Sequence, residues 1–535
     1  MGTLMKIPEI TRAVGNAVIV DPLTAGGARD PADPQDHRSD GQIGATVTIT
    51  CLTSICFVLV AVFCRERSEN EFAFIAFLVI ILVIVLIAIF AILWISVVAH
   101  RNTDTWYRYD TREQKDGLKI AITFLWVFGM ASVVGEALEM TTNISCLDFN
   151  HKINTTGYKV RWYLICSNLT TILFCCIQIT FVSYFIHYNF GNYISINYGL
   201  LITLMTNAVL WFISEEKKIA EYYEKDSNTH VNRSQDPCFW GSNITRYVAS
   251  NLNPYLSPAN IEFFLLSSGL ILGMMPKRSE SNAPQEDDRW SSDEMVPILH
   301  SSERRTSADR IHQHLHPVTY LSFIIVVIIV NLTLITGNVI FVFVQPEMFS
   351  TWISIDTCYK VIMTIVIMLI YYHIHIMGNI EPGNYYLKPG QYILLISTTG
   401  TVAVCMFGMI GGIRILPTLA GTIYIAGNCL DIYVAFSQTT LLIHLERVNR
   451  LQFKGNHIPT EILCFFMASC NISYWIIDSF VDARYAESKY IKGPIFENWD
   501  HLQKLLAPLL IFYRFHTFLD WYILYCKFKR MHTFY

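Results

Sequence analysis

Charge is scarce in this chain. Of its 535 residues only 15% are Asp, Glu, Lys or Arg, where a soluble domain carries about 25%. The shortfall over so long a chain excludes a disordered or fibrous protein. A basic surplus is missing as well. The 39 Lys and Arg stand against 43 Asp and Glu, a net charge of -4, so there is no positive field for a phosphate backbone and nucleic acid is not an expected partner. The 14 cysteines contain no Cys-x-x-Cys and no zinc spacing. No Gly-x-Ser-x-Gly, His-Glu-x-x-His or phosphate loop occurs, so the motif-borne enzyme classes have no foothold here. The expectation is a protein that is not an enzyme and needs no cofactor and no metal. A secretory signal is also lacking. Residues 1–43 are polar, with Pro, Gly and Asp, and show no apolar stretch beside a cleavage site. They read as a flexible cytoplasmic tail.

What is abundant is apolar sequence. Apolar residues make up 53% of the chain and aromatics 13%, and the mean hydropathy is +0.37. A membrane helix takes roughly 20 apolar residues. Twelve such segments are expected, at 44–64, 72–98, 117–140, 160–186, 196–214, 256–275, 319–344, 350–376, 391–413, 417–444, 461–482 and 502–525. The clearest, Phe72 to Val98, holds no charge. The polar stretch 277–317, with Glu286-Asp287-Asp288 and Arg304-Arg305, cannot form a core and reads as a cytoplasmic linker. It separates a six-helix half, 44–276, from another, 318–535. Lys and Arg follow the second, sixth, tenth and twelfth segments, for example Arg101, Arg304, Arg447 and Lys529. That bias puts those ends and both termini in the cytoplasm of a multi-pass plasma-membrane protein. Sequons at Asn143, Asn154, Asn232 and Asn243 fall in the loops then expected outside, as candidate glycosylation sites. Cys146 and Cys238 share those loops and are candidates for a disulfide.

The halves share an order of residues. Gln178 in the fourth segment matches Gln438 in the tenth. Asn207 and Trp211 in the fifth match Asn471 and Trp475 in the eleventh. The sixth is expected to begin at Pro258, and the twelfth is interrupted at Pro508. A six-helix step preserves orientation, so this is a parallel repeat about an axis along the membrane normal.

These residues also resemble a family. The run Pro508-Leu-Leu-Ile-Phe-Tyr-Arg-Phe-His516 is similar to the otopetrin signature in the last helix. Asn471-Ile-Ser-Tyr-Trp-Ile-Ile-Asp-Ser-Phe480, Thr206-Asn-Ala-Val-Leu-Trp-Phe212 and Asn260-Ile-Glu-Phe-Phe264 resemble its helices eleven, five and six. The resemblance implies an all-α polytopic membrane protein, with twelve transmembrane helices as two pseudo-equivalent six-helix barrels. It implies a homodimer of pseudo-tetrameric form, with lipid or sterol at its centre, and a proton-selective channel. It further implies a Gln–Asn–Tyr triad in each half. The C-terminal half supplies Gln438, Asn471 and Tyr513, whereas the N-terminal half has Gln178 and Asn207 but Phe263 in place of the tyrosine. The C-terminal triad is therefore expected to be the tighter. The two N-terminal amides are expected to recruit water or pair with each other.

Ionisable groups at bilayer depth are costly and are functional candidates by default. Those singled out for a proton pathway or gate are Glu215, Glu262, Asp356, Lys360, His375, Asp431, Asp478 and His516. Asp356 and Lys360 are spaced to pair on one helix face. His373 and His375 lie two positions apart, so one of them faces inward. Arg514 is expected to be structural, neutralised by a carboxylate, with Asp478 the first choice. A proton-coupled transporter of a small solute shares the six-plus-six plan and remains the alternative.

Overall fold

The structure, a computed structural model, describes residues 71–101, 106–108, 112–153, 157–190, 194–227, 243–275, 317–343, 349–380, 389–445, 448–451, 460–481 and 499–533. Almost all of them are helical. In chain order the helices are α1 (Glu71–Arg101), α2 (Arg112–Ile153), α3 (Gly157–Phe185), α4 (Ile194–Ser227) and α5 (Asn243–Met274), then α6 (Pro317–Phe343), α7 (Phe349–Met377), α8 (Pro389–Arg414), α9 (Leu419–Leu445), α10 (Thr460–Ile476) and α11 (Trp499–Thr533). Helices are what these sequences must form, because in lipid each backbone polar group has to be satisfied within its own segment. Hydroxyls follow the same rule. Thr203 Oγ1 donates to the Gly199 carbonyl at 2.8 Å, and Ser96 Oγ to that of Ile92 at 2.8 Å.

Ten of these helices are long and apolar enough to cross a membrane. In α1 the buried residues Ile81, Val85, Ala88, Ile92, Ile95 and Ala99 recur every three or four positions, while Phe90 and Trp94 point outward. The helix α11 falls short on composition, since it carries Arg514, His516 and Asp520. Protein rather than lipid surrounds much of it: Phe512, Tyr513, Arg514, Phe515 and Trp521 are all buried. The first expected segment, 44–64, lies outside the described residues.

Several ends differ from expectation, because an apolar count stops at the membrane edge and a helix does not. α2 runs on to Ile153 rather than ending near 140, and α5 starts at Asn243 rather than at Pro258. Pro508 lies inside the continuous α11. Asn143 is consequently inside a helix. It is 4% exposed and accepts a 2.7 Å hydrogen bond from Arg161 Nη1 on its side-chain oxygen. Asn243 opens α5, and Asn154 and Asn232 lie outside the described residues. Cys146 is disulfide-bonded, and the position expected to pair with it, Cys238, lies outside the described residues.

Neighbour relations recur between the halves. α2 packs on α3 and α5, α1 on α3, and α4 on α5. Six helices along, α8 packs on α9 and α11, α7 on α9, and α10 on α11. The contacts between halves repeat too, α2 against α11 and α5 against α8. So do two short antiparallel ribbons. Strand β1 (Trp106–Arg108), after α1, pairs with β2 (Tyr188–Phe190), after α3. β3 (Gly378–Ile380), after α7, pairs with β4 (Val448–Leu451), after α9.

Two hydrophobic cores result. One contains only residues of α6 to α11 and the π-turn that follows α10. The other is built from α1 to α5, with Trp475, Phe515 and Leu519 entering from the C-terminal half. An aromatic seam joins the halves there. Phe515 meets Phe124 and Phe128 edge-on at 5.0 and 5.1 Å, and Trp475 stands 5.6 Å from Phe128. Glycines permit the closest approaches. A Cβ on Gly400 of α8 would lie 2.5 Å from Leu509 Cβ of α11, and one on Gly129 of α2 would overlap Ile179 of α3.

Candidate functional site

Three buried polar assemblies lie at membrane depth. The first is a chain of alternating charge in the C-terminal half. On α7, Asp356 and Lys360 pair at 2.7 Å, as their spacing predicts. Lys360 Nζ also lies 2.6 Å from Asp431 of α9, and Asp431 accepts from Arg514 Nη2 of α11 at 3.0 Å. Three helices thus contribute two carboxylates and two cations, all buried. Tyr474 of α10 closes the chain. Its hydroxyl donates to Asp356 at 3.0 Å, and its ring lies 4.7 Å beneath the Arg514 guanidinium. The direct partner of Arg514 is Asp431, while Asp478, the expected one, acts on the guanidinium at longer range. Asp478 sits on a π-turn, Ile477–Val481, whose wider winding shifts it from the position an α-helix would give. It lines a cavity of about 30 Å³ together with Asn338, Asn428, Asp356, Lys360 and Asp431. That is space for a water molecule or two.

The second assembly is the C-terminal triad. Gln438 Nε2 donates to Asn471 Oδ1 at 3.3 Å and to Tyr513 Oη at 3.2 Å. Asn471 Nδ2 returns a bond to Gln438 Oε1 at 3.1 Å, and Tyr513 donates to the Ala435 carbonyl at 2.9 Å. Two threonines that sequence reasoning missed complete it. Thr439 donates to Tyr513 at 3.3 Å and Thr517 to Asn471 at 3.0 Å. Helical spacing contained the signal, since Thr439 adjoins Gln438 and Thr517 lies one turn beyond Tyr513.

The N-terminal counterpart is built differently. Gln178 and Asn207 are fully buried, yet neither makes a hydrogen bond to another protein group, so they do not pair with each other. Phe263 is fully buried at the tyrosine's place, its ring beside Gly129. Toward the far end of α4, Asn260 Nδ2 donates to Ser214 Oγ at 3.0 Å, and Asn260 accepts from Ser132 of α2.

The third is a single contact across the seam. Glu262, fully buried in α5, accepts a 3.0 Å bond from Trp475 Nε1 of α10. Other expected residues stand apart. His375 is exposed on the outer face of α7, and the inward histidine is His373, whose Nδ1 lies 3.4 Å from Thr460 Oγ1. The reason is the 200° between positions two apart on a helix. His516 stacks on Phe512 and reaches Asp520 at 3.8 Å, outside the charge chain. The side chain of Glu215 lies outside the described residues.

Among curated proteins no match is found. A family model described as Otopetrin matches residues 213–515, which takes in Glu262, the charge chain and the C-terminal triad and stops short of Gln178 and Asn207. That match spans more than half of a chain whose described residues hold ten membrane-capable helices, and the chain therefore belongs to the otopetrin family of multi-pass membrane proteins.

Proposed function

We propose that the chain is a proton-selective channel of the plasma membrane, without a catalytic step, built as two six-helix units (44–276 and 318–535) and assembled as a homodimer with lipid or sterol. The observation that carries the reading is the scale of the polar interior. Buried polar groups are enclosed at the scale of single waters: the cavity that Asp356, Lys360, Asn428 and Asp431 line is about 30 Å³, room for a water or two and too small for a hydrated metal cation. The same size argues against an organic solute and so against the transporter alternative. A larger groove of about 560 Å³ lies between α1 and α3, lined chiefly by apolar groups such as Ile92, Leu93 and Phe181. It suits a lipid chain.

Glu262 is the residue proposed to gain and lose a proton during opening. It is fully buried where the halves meet and is held by Trp475. The test is current through the protein in a cell membrane under defined pH and ion gradients. The reversal potential should follow the proton gradient, and Glu262→Gln should reduce acid-evoked current by about tenfold or more, as loss of a general acid–base group does, at unchanged surface expression. Reversal that tracks sodium or potassium at fixed pH refutes the proton reading.

A further inference from the structure

The repeat allows the two halves to be compared position by position. Gln178 corresponds to Gln438, Asn207 to Asn471 and Trp211 to Trp475. Counted from the same anchors, Ile179 corresponds to Thr439, Phe263 to Tyr513, and Ser267 to Thr517. In the C-terminal half the hydroxyls of Thr439, Tyr513 and Thr517 bind one another or the two amides directly. In the N-terminal half two of those three hydroxyls are absent. The six polar atoms that remain, two on Gln178, two on Asn207, Trp211 Nε1 and Ser267 Oγ, are buried and make no hydrogen bond to protein. The tryptophans show the same asymmetry for a visible reason. Trp475 Nε1 binds Glu262, whereas the position corresponding to Glu262 in the other half is Phe512.

These atoms share a level. The bond from Asn260 to Ser214 ties α5 to the antiparallel α4. Seven residues along each helix from that tie lie Ser267 and Asn207, about 10 Å deeper at the helical rise. The corresponding pair, Thr517 and Asn471, is directly bonded at 3.0 Å. Buried amides and hydroxyls without protein partners are satisfied by enclosed water. The surrounding charge differs as well. Among the described residues the buried lysine and arginine, Lys360 and Arg514, both belong to the C-terminal half, where they stand in fixed ion pairs.

We infer that water held by Gln178, Asn207 and Ser267 makes the N-terminal half the proton route, and that the C-terminal half is its closed, ion-paired counterpart. The inference rests on the proton-channel reading and names the path within it.

The test has two arms. In the first, Ile179→Thr with Phe263→Tyr rebuilds the C-terminal hydroxyl network in the N-terminal half. Proton current per surface molecule should fall by about tenfold, the rate equivalent of one lost hydrogen-bonded link. Thr333→Val, which removes an exposed α6 hydroxyl that bonds only its own helix, should leave it within about twofold. Wild-type current in the rebuilt variant overturns the inference. The second arm uses the unmodified protein and requires no current. Hydroxyl radicals generated from water by X-rays label side chains that touch bound water. Trp211 and Trp475 are about equally shielded, 8% and 6% exposed, yet Trp211 should be oxidised several-fold faster. Equal or slower labelling of Trp211 overturns the inference even where the rebuilt variant fails to reach the surface. Absence of any proton current in the unmodified protein would instead remove the channel reading, leaving the labelling ratio to decide whether the N-terminal half holds water.

Discussion

Lys360 bridges two carboxylates and offsets their mutual repulsion. Its ammonium contacts Asp356 at 2.7 Å and Asp431 at 2.6 Å. Replacing it with methionine keeps the length and leaves two buried acids facing one another. Breaking a buried ion pair on one side typically costs 3–5 kcal/mol, so Lys360→Met should lower the thermal unfolding midpoint in detergent sharply. Adding Asp356→Asn to the same protein should recover part of the loss, because only Asp431 then carries charge, and Arg514 still pairs it. A second substitution that lowers the midpoint further would exclude charge as the cause. Half of this chain was readable in advance. Asp356 and Lys360 lie on one helix, and their spacing alone puts them face to face. Asp431 and Arg514 come from α9 and α11, and no spacing along a sequence encodes which helices meet. Asp478, the partner expected for the arginine, does act on it electrostatically, but Asp431 makes the direct bond. The inward histidine was a choice between two positions on opposite faces, and only packing against Thr460 decides for His373.

The helices themselves were legible, since their apolar runs are long and lipid leaves few alternatives. Their ends were not. α2 and α5 continue past the apolar stretch as polar helix, and α11 hides its charges among neighbouring helices, so composition misjudges all three. What holds elements together at short range is the absence of side chains at chosen points. α8 meets α11 where Gly400 faces Leu509. Gly400→Val should force those helices apart at a cost of about 1–3 kcal/mol, the usual range for overpacking, seen as a lower unfolding midpoint and a broadened elution profile. Gly337→Val provides the contrast, since nothing lies within 4 Å of a Cβ there. Equal losses in both variants would point to helix propensity and not to packing.

At the scale of the molecule, the matched residues point to a repeat, and the ribbons and neighbour relations recur with them. Of the four sequons expected outside, one lies inside a helix. Asn143 is sequestered by Arg161, so Asn143→Gln should leave the glycosidase-sensitive mass of the protein unchanged; a loss of mass would show that this turn of α2 opens during synthesis. The halves also differ in how they are tethered. Each has a β-ribbon fastening two helix ends on one side, as a crossbar fastens two posts. In the N-terminal half α2 carries the disulfide of Cys146 near its opposite end. In the C-terminal half every described cysteine is a free thiol. α2 is therefore covalently linked at the end its ribbon does not reach, whereas the described elements of the C-terminal half are held there by packing and ion pairs. Mechanical softness follows from that difference. Among the described residues a reducing agent can therefore act only on the N-terminal half, and any softening it causes should appear there.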